Sequence, residues 1–241
     1  MRKLLAVLIA FAALVAGPAL AADLPAYSPP PAAPAVDNGL GGAFYLRASV
    51  GLNGLWANNV TYTACGCYAD GTDFTAHNTT AAGYGYSFGA GFGYEAGNGL
   101  RADLTLDQLN NDGLTDGAYT LHLRSTIAMA NAYYDFGLSG VGMGGFGGYV
   151  GAGVGAAYNQ THITGGAGAG PDGSNFAAAG ALMTGVTYDM GSMVADLGYR
   201  MIYMPQISNG DGANESNDST PYYVNQNFIH ELRASLRYRL N

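Results

Sequence analysis

The chain has 241 residues, of which 38 are Gly and 18 Tyr, only 11% are charged, and the formal charge is −8. A soluble domain of this length normally carries about twice that share of charged side chains. The acidic balance argues against nucleic acid as a partner and against anionic head groups held by general charge attraction.

Arg2 and Lys3, the apolar run Leu4 to Ala16 and the small-x-small site Ala19-Leu20-Ala21 predict a secretory signal peptide over residues 1–21. The run is too short for a membrane helix, and no Cys follows the cleavage site to carry a lipid anchor. Without Arg2 and Lys3, seven cationic side chains remain, all of them arginine, against 17 acidic ones. Residues 22–42, with Pro25, Pro29-Pro30-Pro31 and Pro34, lack a periodic apolar face and read as an extended linker. The remaining domain is expected over 43–241.

From Phe44 the sequence alternates. Phe44, Leu46, Ala48, Val50 and Leu52 share one face and Tyr45, Arg47, Ser49 and Asn53 the other, which predicts a first strand. A polar stretch with Trp56, Cys65, Cys67, Asp70, Asp73 and His77 follows and reads as an exposed loop. A second strand sets Tyr84, Tyr86, Phe88, Ala90, Phe92 and Tyr94 against a face of glycines ending in Glu95. After the turn Ala96 to Gly99, a third strand sets Leu100, Ala102, Leu104 and Leu106 against Arg101, Asp103, Thr105 and Asp107.

Asn110 to Ala118 reads as a second loop. In the fourth strand the apolar set is Tyr119, Leu121, Leu123, Ile127 and Met129, with His122, Arg124 and Thr126 opposite, and a Gly-rich connection then reaches Gly148. The fifth strand, Tyr149 to Tyr158, sets Val150, Ala152, Val154 and Ala156 against glycines. A loop over 159–175 leads to the sixth, which returns through Leu182, Val186 and Tyr188. Gly191-Ser192 makes a tight hairpin, and the seventh strand sets Ala195, Leu197, Tyr199, Met201 and Tyr203 against Asp196 and Arg200. A fourth loop, Pro205 to Pro221, precedes the last strand, Phe228 to Leu240, whose odd positions carry Glu231, Arg233, Arg237 and Arg239.

Eight strands whose connections alternate long and short, each strand with one apolar face, predict an all-β fold: an eight-stranded antiparallel up-and-down transmembrane barrel with a side-chain-filled lumen. The apolar phase puts Arg47, Glu95, Arg101, Asp103, Asp107, Arg124, Asp196, Arg200, Glu231, Arg233, Arg237 and Arg239 inside as a lumen charge network. A soluble sandwich would instead turn Lys and Glu toward water. Inside a dry lumen such charges must pair, and Glu95 with Arg101, and Asp196 with Arg200, Arg237 or Arg239, are the expected pairs. The glycine faces leave room for the long arginines. Two aromatic girdles are expected: Phe44, Tyr94, Tyr133, Phe146, Tyr188 and Tyr238 at the short-turn ends, and Tyr84, Tyr86, Tyr119, Tyr158, Phe176, Tyr203 and Phe228 at the long-loop ends.

Ala21-Ala22-Asp23-Leu24-Pro25, Ala130-Asn131-Ala132-Tyr133-Tyr134-Asp135-Phe136, Tyr149 to Gly155, Leu197-Gly198-Tyr199-Arg200, His230 to Arg233 and Leu236 to Arg239 follow in an order and spacing that resemble the alphaproteobacterial outer-membrane β-barrel or surface-antigen family. The resemblance implies an eight-stranded barrel in the outer membrane. Such barrels usually end in an outward aromatic, where this chain has Leu240 and Asn241.

Gly142 to Gly147 matches GxGxxG, but no helical pattern follows, so the dinucleotide reading lacks its context. Cys65-Gly66-Cys67 is too closely spaced for an unstrained bridge and supplies too few ligands for a metal. Asn59-Val60-Thr61 is a chance triplet in a loop rich in Asn and Thr. A lipid-modifying enzyme would need a His, a nucleophile and an orienting acid on the outer wall or rim; His122 falls on the inward phase, and His230, outward, has no Ser placed with it. The expected function is therefore structural, with no enzymatic activity and no cofactor or metal: a barrel presenting four acidic loops for envelope integrity, surface antigen display or adhesion. The alternative is a narrow anion-preferring channel. Expected partners are outer-membrane lipid and lipopolysaccharide, the barrel-assembly machinery, and an extracellular ligand of the loops.

Overall fold

The computed structural model describes residues 42–63, 74–137, 145–165, 172–209 and 222–240. The expected signal peptide, the expected linker up to residue 41, Cys65 and Cys67, most of the expected fourth loop and the first three residues of the GxGxxG match lie outside the described residues.

Among the described residues, ten strands form one antiparallel sheet: β1 Ala43–Trp56, β2 Asn59–Thr63, β3 Phe74–Asn78, β4 Gly83–Glu95, β5 Leu100–Thr115, β6 Tyr119–Gly137, β7 Phe146–Gly165, β8 Gly173–Asp189, β9 Met193–Ser208 and β10 Tyr222–Leu240. Eight of them close a ring. The order runs from β4 through β10, and β1 pairs with β10 on one side (Phe44 with Leu240, Trp56 with Phe228) and with β4 on the other (Phe44 with Tyr94, Leu55 with Gly83). Closure leaves no edge whose backbone groups would face hydrocarbon unpaired.

Period-two alternation then decides what each wall residue meets. The outer wall of the ring is apolar: Leu104 is 65% exposed, Val154 71% and Leu52 63%. In water that surface would be a defect; it fits hydrocarbon. Tilted aromatic pairs bound it at both ends, with Phe44–Tyr94 and Phe146–Tyr188 near the short turns and Tyr158–Phe176 and Tyr203–Phe228 near the long connections, all at ring-centroid distances of 4.9–5.0 Å.

A span needs about 9–11 tilted residues, and the wall strands have 13 to 20. The excess lies on the long-loop side. There the structure corrects the expected loops. β5 continues to Thr115, so the second connection shrinks to Asp116–Ala118. The first connection holds the β2–β3 hairpin, in which β2 carries on the rail of β1 along β10 (Asn59 with Asn225, Tyr62 with Tyr222).

The β6 phase is also corrected. Leu121, Leu123, Ile127, Met129 and Tyr133 are buried inside the barrel, and the even positions His122, Arg124, Ala128, Ala130 and Tyr134 face out. The register leaves no freedom here, because Tyr133 sits opposite inward Arg101 and Gly151, and Arg124 opposite outward Asn110. Tyr133 therefore leaves the short-turn girdle; exposed Tyr134 and Phe136 stand on the outer wall at that end of β6. Tyr119 leaves the other girdle and packs edge-on against Tyr62 of β2, ring centroids 5.1 Å apart.

Candidate functional site

The lumen has two storeys. The short-turn half is ionic. Asp107 of β5 bridges Arg200 Nη1 and Arg233 Nη2, each at 2.7 Å, and Glu231 closes on Arg200 from the other side at 2.6 Å. Arg237 grips Asp196 through Nε and Nη2, at 3.0 and 3.1 Å, and reaches Glu95 of β4 through Nη1. Arg239 holds Glu95 at 2.8 Å and Asp189 bidentately at the turn-side rim. Arg101 chelates Asp135 at 2.8 and 3.1 Å and lies 3.8 Å from the Tyr133 ring centroid. Arg47 meets Asp103 at 3.1 Å, and Asp103 also accepts from Tyr45 at 2.9 Å and from Asn131 at 2.8 Å.

Burial makes this arrangement necessary. Arg200 and Glu231 are each 1% exposed, and a charge so far from water is tolerable only with a close counter-charge and its remaining donors or acceptors satisfied. Glycines and small residues on the facing strands supply the space. A Cβ on Gly93 would strike the Tyr45 ring, one on Gly151 the Tyr133 ring and one on Gly198 the Tyr149 hydroxyl. The expected room for arginines is thus largely filled by three inward tyrosines.

The long-loop half is largely aliphatic, with buried polar pairs set among the aliphatic side chains: Asn111 Nδ2 donates to Asn53 Oδ1 and the Ser125 hydroxyl to Asn159 Oδ1, each at 2.7 Å. Leu55, Leu109, Ile127, Ala157, Ile202, Met204, Ile207, Val224 and Ile229 are all fully buried and form one cluster above the ions. The apolar-means-lipid rule misassigned β6 for this reason.

Of the twelve expected network residues, Arg47, Glu95, Arg101, Asp103, Asp107, Asp196, Arg200, Glu231, Arg233, Arg237 and Arg239 meet inside. Arg124 does not. It stands exposed on the outer wall beside Asn110 and Gln160, since its parity in β6 is that of Ala128 and Ala130. Glu95 lies opposite Arg101 in register but binds Arg237 and Arg239 instead, and Arg101 takes Asp135, which the sequence reading missed along with Asp189. Asp135 stands two residues after Tyr133, on the parity of the buried side chains. Among the described residues, six arginines against seven acids leave the network with no positive surplus. His122 likewise faces outward, and His230 is exposed on the wall with its Nδ1 2.5 Å from the Tyr199 hydroxyl.

At the loop-side tip, outside the span, the Asp116 carboxylate accepts from the Ala118 and Tyr119 amides at 2.9 and 2.8 Å and from the Tyr62 hydroxyl at 2.9 Å. Partial burial opposes ionisation of Asp116, but these donors outweigh it and hold the carboxyl below its ordinary range. Burial and the same carboxylate push the Tyr62 phenol up to about 12.

No protein-family model matches the chain, and no curated protein matches it. Among solved structures it is similar to Neisserial surface protein A (NspA), with a TM-score of 0.53 and 20% identity over 83% of this chain and 99% of that one. The outer membrane protein OprG from Pseudomonas aeruginosa gives a TM-score of 0.49 and 16% identity over 82% of this chain and 97% of that one. At this identity the likeness to NspA is one of architecture. It agrees with the closed ring, the apolar belt and the paired girdles: the fold is that of a small eight-stranded outer-membrane β-barrel.

Proposed function

We propose that this protein is a closed structural barrel of the outer membrane that stiffens the envelope and displays its long connections at the cell surface for antigenic or adhesive contact. In this reading residues 1–21 are removed on export, residues 22–42 remain as a Pro-rich periplasmic segment, and the barrel-assembly machinery inserts the domain among lipopolysaccharide and phospholipid. The resemblance to alphaproteobacterial surface antigens supports the same view. One observation carries it: the described part of the lumen is packed with buried side chains, by ion pairs in one half and by an aliphatic cluster with buried Asn and Ser pairs in the other.

The narrow anion-preferring channel is the weaker reading, because the buried aliphatic cluster lies across the loop-side half and the described network lacks the positive surplus on which anion preference depended. Planar-bilayer recording of the refolded mature chain tests both. Silence is expected; steady anion-selective steps from the unmodified protein would overturn the closed-barrel reading.

A further inference from the structure

Beyond Lys3 the sequence has seven arginines and no lysine. Six of the arginines are held in the lumen by ion pairs; Arg124 alone stands on the outer wall, exposed, and has no ion pair among the described residues. The strand register fixes its depth. Gln108, Thr126, Tyr158 and Phe176 form one outward row across β5 to β8 at the loop-side girdle, and Asn110, Arg124, Gln160 and Ser174 form the next, two residues further along each strand. With a rise of about 3.4 Å per residue and a tilt of about 40°, two residues lift that row about 5 Å above the girdle. The polar layer of one leaflet is about 5–8 Å deep, so Arg124 stands among head groups.

Asp112, His122, His162 and Asp172 make a further row, about 10 Å above the girdle by the same geometry. Side chains from all three rows line one outward-opening cleft of about 700 Å³. Its layers differ in chemistry. Tyr158, with Tyr86 of β4, lies at the membrane side; the middle row offers N–H and O–H donors; the outer row adds two carboxylates, each turned onto an imidazole, with Asp112 Oδ1 2.8 Å from His122 Nδ1 and Asp172 on His162 Nδ1. The acids nearest Arg124 are therefore engaged with imidazoles, and its guanidinium is left to the leaflet.

We propose that this cleft binds the phosphorylated sugar head group of an outer-leaflet glycolipid, with Arg124 donating to the phosphate between the amides of Asn110 and Gln160, and with the carboxylates of Asp112 and Asp172 accepting from sugar hydroxyls. The inference rests on the proposed placement of the long connections at the cell surface. A guanidinium fork matches phosphate oxygens in pairs, and the flanking carboxamides add donors at the same level. The outer row selects the rest of the head group: acceptors about 5 Å beyond the phosphate row need hydroxyl donors there, which a sugar supplies and a second anionic group does not. The acidity of the whole chain removes general charge attraction as the cause, so the hold on the phosphate is local to Arg124 and its row.

The test titrates the full mature chain in detergent micelles with an acylated glucosamine disaccharide bearing two phosphates, with its dephosphorylated counterpart and with phosphatidylglycerol, and counts bound lipid by native mass spectrometry; inorganic phosphate serves as a competitor. The phosphorylated glycolipid is expected to bind about tenfold tighter than either other lipid, and Arg124→Ala to abolish that preference, the size of one charge-assisted hydrogen bond. Arg124→Lys should keep part of it, and Gln160→Ala should lose less than Arg124→Ala. Gln226 is exposed on β10, across the ring from β6 and two residues beyond the girdle residue Phe228. Adding Gln226→Arg to Arg124→Ala returns a cation to the same depth away from the cleft and should not restore the preference. Heat-modifiable electrophoretic mobility checks that each variant is folded. Equal affinity for the dephosphorylated glycolipid or for phosphatidylglycerol, affinity unchanged in folded Arg124→Ala, recovery through Gln226→Arg, or displacement of the glycolipid by an equal concentration of inorganic phosphate overturns the proposal. Conductance steps in a planar bilayer would overturn the closed barrel and leave this binding result standing, so the two readings fail separately.

Discussion

Asp107 shows how single side chains hold the barrel. Its carboxylate is 1% exposed and is the shared partner of Arg200 and Arg233. Asp107→Ala would leave Arg233 without its counter-charge and Arg200 with Glu231 alone in a dry lumen, where an unpaired charge costs about 3–5 kcal/mol. A loss of that size is expected in urea unfolding from lipid vesicles; a loss below about 1 kcal/mol would mean that water reaches the pair. Asp116 makes a prediction of the opposite exposure. Its folded pKa is depressed, so its contribution to the tip between β2, β5 and β6 is complete above the ordinary carboxylate pKa and is lost as pH falls through the folded one. Amide exchange at Ala118 and Tyr119 should therefore quicken on acidification below about pH 4, and Asp116→Asn should show no such step.

Within the strands, period two made most of the architecture legible. Leu104 against Asp103 in β5 and Leu232 against Arg233 in β10 announce their faces because one neighbour is apolar and the other charged. β6 did not, and the cause is physical: Leu121, Leu123, Ile127 and Met129 fill a lumen that is itself apolar there, so hydrophobicity no longer separates inside from outside. Only the register to β5 and β7 settles it. Partner choice was similarly hidden, since Glu95 and Arg237 lie on strands that do not pair with each other. The glycine faces allow a paired test. Gly198→Ala sets a Cβ against the Tyr149 hydroxyl and the Thr184 carbonyl, whereas Gly180→Ala meets nothing within 4 Å. The first should lose about 1–3 kcal/mol by overpacking and the second almost nothing; equal losses would show that Tyr149 is not held where the structure has it.

For the molecule as a whole, the two storeys divide the work. Aliphatic packing closes the long-loop half against water, and the ionic half ties strands together that are remote in sequence. Opening the first should be enough to wet the second, so Leu109→Gly combined with Ile229→Gly is expected to turn a silent barrel into one with small conductance steps, recorded as for the unmodified chain. Persistent silence would mean that the ionic half alone is watertight. The β1–β10 seam carries a further implication. It joins the two ends of the barrel, and around it Arg233 reaches Ser49 and Asp107, Arg237 reaches Glu95, and Ser87 donates to Glu231. Before the ends meet, each of these groups lacks its mate. A closure slipped by two residues would restore the apolar alternation yet set every one of these charges beside the wrong neighbour, so the lumen acts as the lock that accepts one register of the closing strand.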